Sequence, residues 1–143
     1  DNGANIVFAD CGTVGDGITS KAKEVGNIAI QVDADLDSTQ PGHILTSVLK
    51  ITGVPVTTIT RAYADGSISK MDNLQSYNLN SGATGITGMT VLGEHVQDKE
   101  LWKEITDKVN AVGEEIKSGK IVVVNAQNGE TLNPTDVPHM NIK

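Results

Sequence analysis

A chain of 143 residues with 38% hydrophobic and 20% charged residues is the size and composition of one compact globular domain. A net charge of −7 without a dense Lys/Arg cluster argues against a nucleic-acid partner, since that binding depends on cations neutralising phosphates. The one cysteine, Cys11, allows neither an intrachain disulfide framework nor a cysteine zinc site, and no stretch approaches the ~20 apolar residues of a membrane span.

The start, Asp1-Asn2-Gly3-Ala4-Asn5, has neither a basic region nor an apolar signal core, so any targeting segment is expected outside these residues. Asn5 to Asp10 is an apolar run short enough for a buried strand. The Gly-rich turn Cys11 to Gly17 and a helix ending near Gly26 follow. Ile28-Ala29-Ile30-Gln31-Val32-Asp33 reads as a second strand, parallel to the first across that helix. A polar connection from Ala34 to Gly42 leads to a third extended segment, Ile44 to Leu49. Pro55 then introduces a helix reaching about Ala64, which Asp65-Gly66 ends.

Gln75 to Thr90, rich in Asn, Gly, Thr and Ser, predicts one or two short strands and a turn. The next helix is marked by Leu101, Ile105, Val109, Val112 and Ile116, with Asp98 as cap and Gly119 as stop; one face should pack and the other be solvated. Lys120 to Val124 is read as a final strand, and Ala126 to Lys143 as a polar tail. There is no internal repeat. Alternating strands and helices predict an α/β fold, a Rossmann-like three-layer sandwich with a largely parallel sheet. Ligands of such sheets bind outside the carboxyl ends of the strands.

That rule selects the turn at Gly12, Asp33 at its strand end, and Lys50. The turn Gly12-Thr13-Val14-Gly15-Asp16-Gly17 can surround an oxygen-rich ligand with amides, or merely allow a tight connection. It is neither the dinucleotide fingerprint nor a Walker loop. Asp16 near the helix start suits the dipole and disfavours a phosphate there. Asp33 can accept two hydrogen bonds from a vicinal diol, or close an Asx turn; Lys50 can pair with Asp33, reach a ligand, or snorkel. Asp33, Asp35 and Asp37 imitate the opening of a calcium loop, but Ser38 and Ile44 stand where Gly and Glu are needed, so no metal is expected. Cys11 is expected to be a small buried filler. His43, His95 and His139 are read as surface or loop residues. No catalytic constellation emerges, and no cofactor is expected.

In order along the chain, several segments resemble the basic membrane protein family of ABC-transporter substrate-binding lipoproteins, which includes bacterial purine-nucleoside receptors. Asn2 to Phe8 is similar to its strand entry, Gly12 to Ile18 to its Gly-rich turn, Ile30-Gln31-Val32-Asp33-Ala34-Asp35 to its Ile-Gly-Val-Asp-x-Asp-Gln, and Leu45 to Lys50 to its Leu-Thr-Ser-Met-x-Lys. Tyr77 to Ala83 and Ile116 to Val123 resemble later segments. Departures include Gln31 for Gly, Leu36 for Gln, and Ile51-Thr52-Gly53 after Lys50.

The resemblance covers the second half of a family member. It implies one lobe of a type I periplasmic-binding-protein fold, with residues 1–125 as the second-lobe ligand-binding domain, parts of which cross back to a first lobe, and residues 126–143 as tail. It implies Asp33 on ribose hydroxyls, Lys50 on the base or ligand, and Gly12 admitting close backbone approach. The implied protein is an extracytoplasmic, membrane-anchored lipoprotein, not an enzyme, with a nucleoside-like ligand, an ABC permease and a first lobe as partners. Two other classes stay open: the effector-sensing domain of a transcription regulator, and a Rossmann-like enzyme.

Overall fold

The computed structural model describes residues 3–125, 129–131 and 133. Four strands, β1 (Ile6–Phe8), β2 (Ile28–Asp33), β3 (Ile44–Lys50) and β4 (Thr84–Ile86), form one sheet in the order β1-β2-β3-β4. The first three are parallel, and β4 runs antiparallel to β3. The helices are α1 (Gly15–Glu24), α2 (Gly53–Ala64), α3 (Thr90–His95) and α4 (Lys99–Lys117). This is the α/β, Rossmann-like lobe with a largely parallel sheet that the alternation of elements predicts.

Helix α1 carries the chain from β1 to β2 and packs on β2, burying Thr19 and Ala22. The step from β2 to β3 has no α-helix. It is made by residues 34–43 with a 3-10 turn at Asp37–Thr39, and β3 accommodates it by a register shift opposite Ala29 and Ile30. The core is small-residue and strand-centred: Ala9, Ala22, Ala29, Val32 and Ile44, joined by Met89 and Leu92 from α3 and its approach.

Three expectations change. β1 is shorter than the apolar run, and as an edge strand it leaves Ile6 and Phe8 exposed, because they alternate with Val7 away from α1. Helix α4 begins and ends where Asp98 and Gly119 direct it, with the Asp98 carboxylate accepting from the Leu101 amide at 2.9 Å and Gly119 at φ 77°. Its apolar stripe is only partly covered, however, and Leu101, Ile105 and Val112 remain exposed. Lys120 to Val124 is not a strand: no described strand pairs with it, and it runs as irregular chain along a cleft. The tail expected from Ala126 onward lies mostly outside the described residues.

Helix α2 starts at Gly53, with Pro55 in its first turn, where a missing amide costs nothing. Its main neighbour is the 3-10 turn at Ile68–Lys70, and that of α4 is the capped 3-10 turn at Leu79–Ser81.

Candidate functional site

Because β1, β2 and β3 are parallel, their carboxyl ends share one edge of the sheet, and that edge carries the turn after Phe8, Asp33 and Lys50. Asp33 ends β2 in an unusual backbone state. Its φ is 74°, and the Ala34 amide donates to the Val32 carbonyl at 3.0 Å, closing a γ-turn of the rare positive-φ kind. The Asp33 side chain therefore leaves the sheet at an angle an ordinary strand residue does not take. Strain of this sort concentrates at binding sites, and Asp tolerates it better than most residues. β3 is followed by a tight turn of the ordinary negative-φ kind centred on Ile51, with the Thr52 amide donating to the Lys50 carbonyl at 3.0 Å.

The parallel register, which pairs Asp33 with Leu49, sets the neighbouring Lys50 beside it, and Lys50 Nζ stands 3.6 Å from Asp33 Oδ1, with the side chains 71% and 56% exposed. Both charged groups thus keep hydration and free valences, an acceptor beside a donor at the open edge.

The three glycines of the first turn differ in physical role. Gly12 opens a 3-10 turn (Gly12–Val14) at φ 57°, and a side chain there would meet nothing within 4 Å, so the backbone conformation and an open surface explain it. Gly15 starts α1 against the sheet: a Cβ on it would stand 2.9 Å from Gln31 Oε1 and 3.4 Å from Ala9 Cβ. Gly17 meets neither condition. Asp16 occupies the first turn of α1, as the dipole argument expects.

Sequence reasoning missed the buried polar groups under this edge. Gln31 Nε2 donates to Thr19 Oγ1 at 2.5 Å, and Thr19 Oγ1 donates to the Gly15 carbonyl at 3.0 Å, all of it buried. In β3, Ser47 Oγ donates to the buried Asp37 carboxylate at 2.6 Å and accepts from the Leu36 amide at 3.1 Å. The signal was present: a Gln in Ile-Ala-Ile-Gln-Val, and a Thr-Ser pair in β3, are polar residues on buried strands and require partners.

Asp37 is thus committed to Ser47, while the Asp35 carboxylate accepts from the Asp37 amide at 3.2 Å in an Asx turn. Among the described residues no group of three or more His, Cys, Asp or Glu is arranged to hold a metal ion. Cys11 is exposed, not the buried filler expected, because the chain has already left the sheet when it enters the 3-10 turn. His43 Nδ1 donates to the Asn27 carbonyl at 3.0 Å, His95 lies against Gly42, and His139 is outside the described residues.

A cleft of about 550 Å³ opens beside the same edge, lined in part by Tyr77, Asn78, Thr84, Ile116 and the irregular Ile121 to Val124. Thr84 is the register partner of Lys50, so one wall of the cleft adjoins the charged pair.

No described helix is long and apolar enough to cross a membrane. A family model, described as ABC transporter substrate-binding protein PnrA-like, matches residues 1–127. The chain is also similar to Basic membrane protein D of Borreliella burgdorferi (strain JD1), at 27% identity over 124 residues. That match takes in 85% of this chain and 35% of the relative, so the chain spans about a third of the length of the curated protein it matches. With the family match running over most of its length, the chain belongs to the Bmp family of PnrA-like ABC transporter substrate-binding proteins.

Proposed function

We propose that residues 1–125 form one lobe of an extracytoplasmic, lipid-anchored receptor that binds a nucleoside or a similar small polar solute and hands it to an ABC permease. The ligand lies against the carboxyl edge of the sheet, with a second lobe closing over it. Asp33 accepts from vicinal hydroxyls of the sugar, Lys50 donates to the ligand from beside it, and the open surface at Gly12 lets the ligand approach the backbone. Binding and closure, without bond-making, constitute the activity.

The observation that carries this reading is the γ-turn at Asp33. It holds a carboxylate out of the sheet, 3.6 Å from an ammonium, at the edge where ligands of parallel sheets bind. A neutral polyol suits such a pair, since it satisfies acceptor and donor without adding a charge.

Calorimetric titration of the complete polypeptide carrying this sequence with adenosine, guanosine, inosine and free ribose tests the proposal. Saturable heat with unchanged nucleoside on chromatography is expected. Absence of heat with all four sinks the nucleoside reading, and release of free base would reveal an enzyme instead.

A further inference from the structure

We propose that Gln31 is a positioning residue for the ligand, holding the Gly12–Gly15 turn in fixed relation to Asp33 through Thr19; this rests on the binding reading above. The two pieces of the candidate edge belong to different elements. Gly12 precedes α1, whereas Asp33 ends β2, and no covalent feature near the edge ties one to the other. Neither the 3-10 turn nor α1 has a side-chain cap at its start. An uncapped helix start is the end of a helix most free to shift.

Beyond the backbone bond from the Ala9 amide to the Ile30 carbonyl at 3.0 Å, Gln31 supplies a side-chain tie from β2, two residues before Asp33 and therefore about 6.6 Å from it along the strand. Its amide engages α1 at two positions one turn apart. The Nε2 donates to Thr19 Oγ1 at 2.5 Å, and the Oε1 fills the space a Gly15 side chain would take, 2.9 Å from that Cβ position. Thr19 gives its own proton to the Gly15 carbonyl, so its oxygen faces Gln31 as an acceptor. The Gly15 amide in turn donates to carbonyls of the 3-10 turn, Gly12 and Thr13. A continuous series of hydrogen bonds thus runs from β2 to Gly12.

A plain packing role does not explain these residue types. Gln31 and Thr19 are each 1% exposed. Burying an amide and a hydroxyl is costly unless both are satisfied, and an apolar pair of the same shape is as stable or more so. A satisfied buried polar pair instead fixes one geometry, because sliding the helix over the strand leaves the buried Gln31 amide without its Thr19 acceptor, while Thr19 keeps only its bond within α1.

The test uses Gln31→Met and Thr19→Val, which keep volume and remove the bond, and Thr19→Ser, which keeps the hydroxyl. Adenosine affinity is measured in the complete polypeptide at a temperature where circular dichroism shows every variant folded, and backbone amide exchange is measured on the same samples. Gln31→Met and Thr19→Val should each weaken adenosine about fivefold, the double variant no further, and Thr19→Ser should stay within about twofold. Gly15 amide exchange should accelerate about tenfold in the first two variants while Val48 in β3 is unchanged. Wild-type affinity in both volume-matched variants, or acceleration spread evenly over Gly15 and Val48, overturns the positioning role. If wild-type protein takes up no adenosine, the nucleoside reading fails by itself, and the exchange pattern still decides whether Gln31 holds the turn.

Discussion

Asp33 Oδ1 and Lys50 Nζ stand 3.6 Å apart at the ends of neighbouring strands, close enough for the charges to interact and too far for a hydrogen bond. Both side chains are more than half exposed, so the pair adds at most ~0.5 kcal/mol to folding. Lys50→Met should leave the melting temperature nearly unchanged while weakening adenosine at least about threefold. Paired melts and titrations check this, and a lower melting temperature with unaltered affinity would make Lys50 a structural residue.

The φ of 74° at Asp33 separates stability from binding at one position. Asp33→Gly should stabilise the fold by about 0.5–1 kcal/mol by relieving the left-handed backbone, whereas Asp33→Ala should gain nothing. Both should lose about 2 kcal/mol of ligand binding, because both remove the carboxylate. Denaturant titration together with calorimetry distinguishes the outcomes. Equal affinity in all three proteins returns Asp33 to a turn role.

Gly15→Ala forces the new methyl against the buried Gln31 amide, which can make way only by giving up its bond to Thr19, and should cost about 1–3 kcal/mol. In a Gln31→Ala background most of that overlap disappears, so the two substitutions should be strongly non-additive. Additive urea midpoints would show that the overlap is relieved elsewhere.

Gly93 faces the indole of Trp102, whose Nε1 lies 2.5 Å from the position of a Gly93 Cβ. Gly93→Ala should destabilise by about 1–3 kcal/mol and push α3 and α4 apart. Trp102 is the sole tryptophan, so its emission reports the change directly. A red shift is expected, and an unshifted spectrum with native stability refutes it.

Asp65, at the end of α2, is held below the usual carboxylate range by hydrogen bonds from Ser67, its side chain first and its backbone amide at 2.9 Å second, against slight desolvation. A lowered folded pKa stabilises the fold above the unfolded value and loses that contribution as pH falls through the lowered one. Ser67→Ala should therefore raise the Asp65 titration midpoint toward its unfolded value, shrinking this contribution so that its loss is complete at a higher pH. Carboxyl-carbon NMR titration reads the midpoint, and no movement would assign the effect to the backbone amide alone.

The parts of the fold legible in sequence were those decided locally. The α1 crossover and the apolar runs of β2 and β3 announced a parallel unit, and Asp98 and Gly119 bracketed α4 because caps act over one turn. Elements decided by distant partners were not legible. Ile121 to Val124 has every mark of strand propensity, yet a strand exists only where another pairs with it. Helix α3 was hidden by its brevity and by Gly93 in its middle, which the indole of Trp102 explains only in three dimensions. Asp33 and Lys50 were recognisable as strand ends, but the γ-turn that separates Asp33 from the sheet depends on φ. The Gln31–Thr19 bond joins residues 12 apart whose meeting depends on how α1 lies.

The exposure of Cys11 has a practical consequence. The chain carries a single thiol, it is accessible, and it adjoins Gly12 at the proposed ligand edge. Within these residues a maleimide fluorophore therefore attaches at one defined point, and if the neighbouring edge takes up ligand as proposed, its emission should change on adenosine binding.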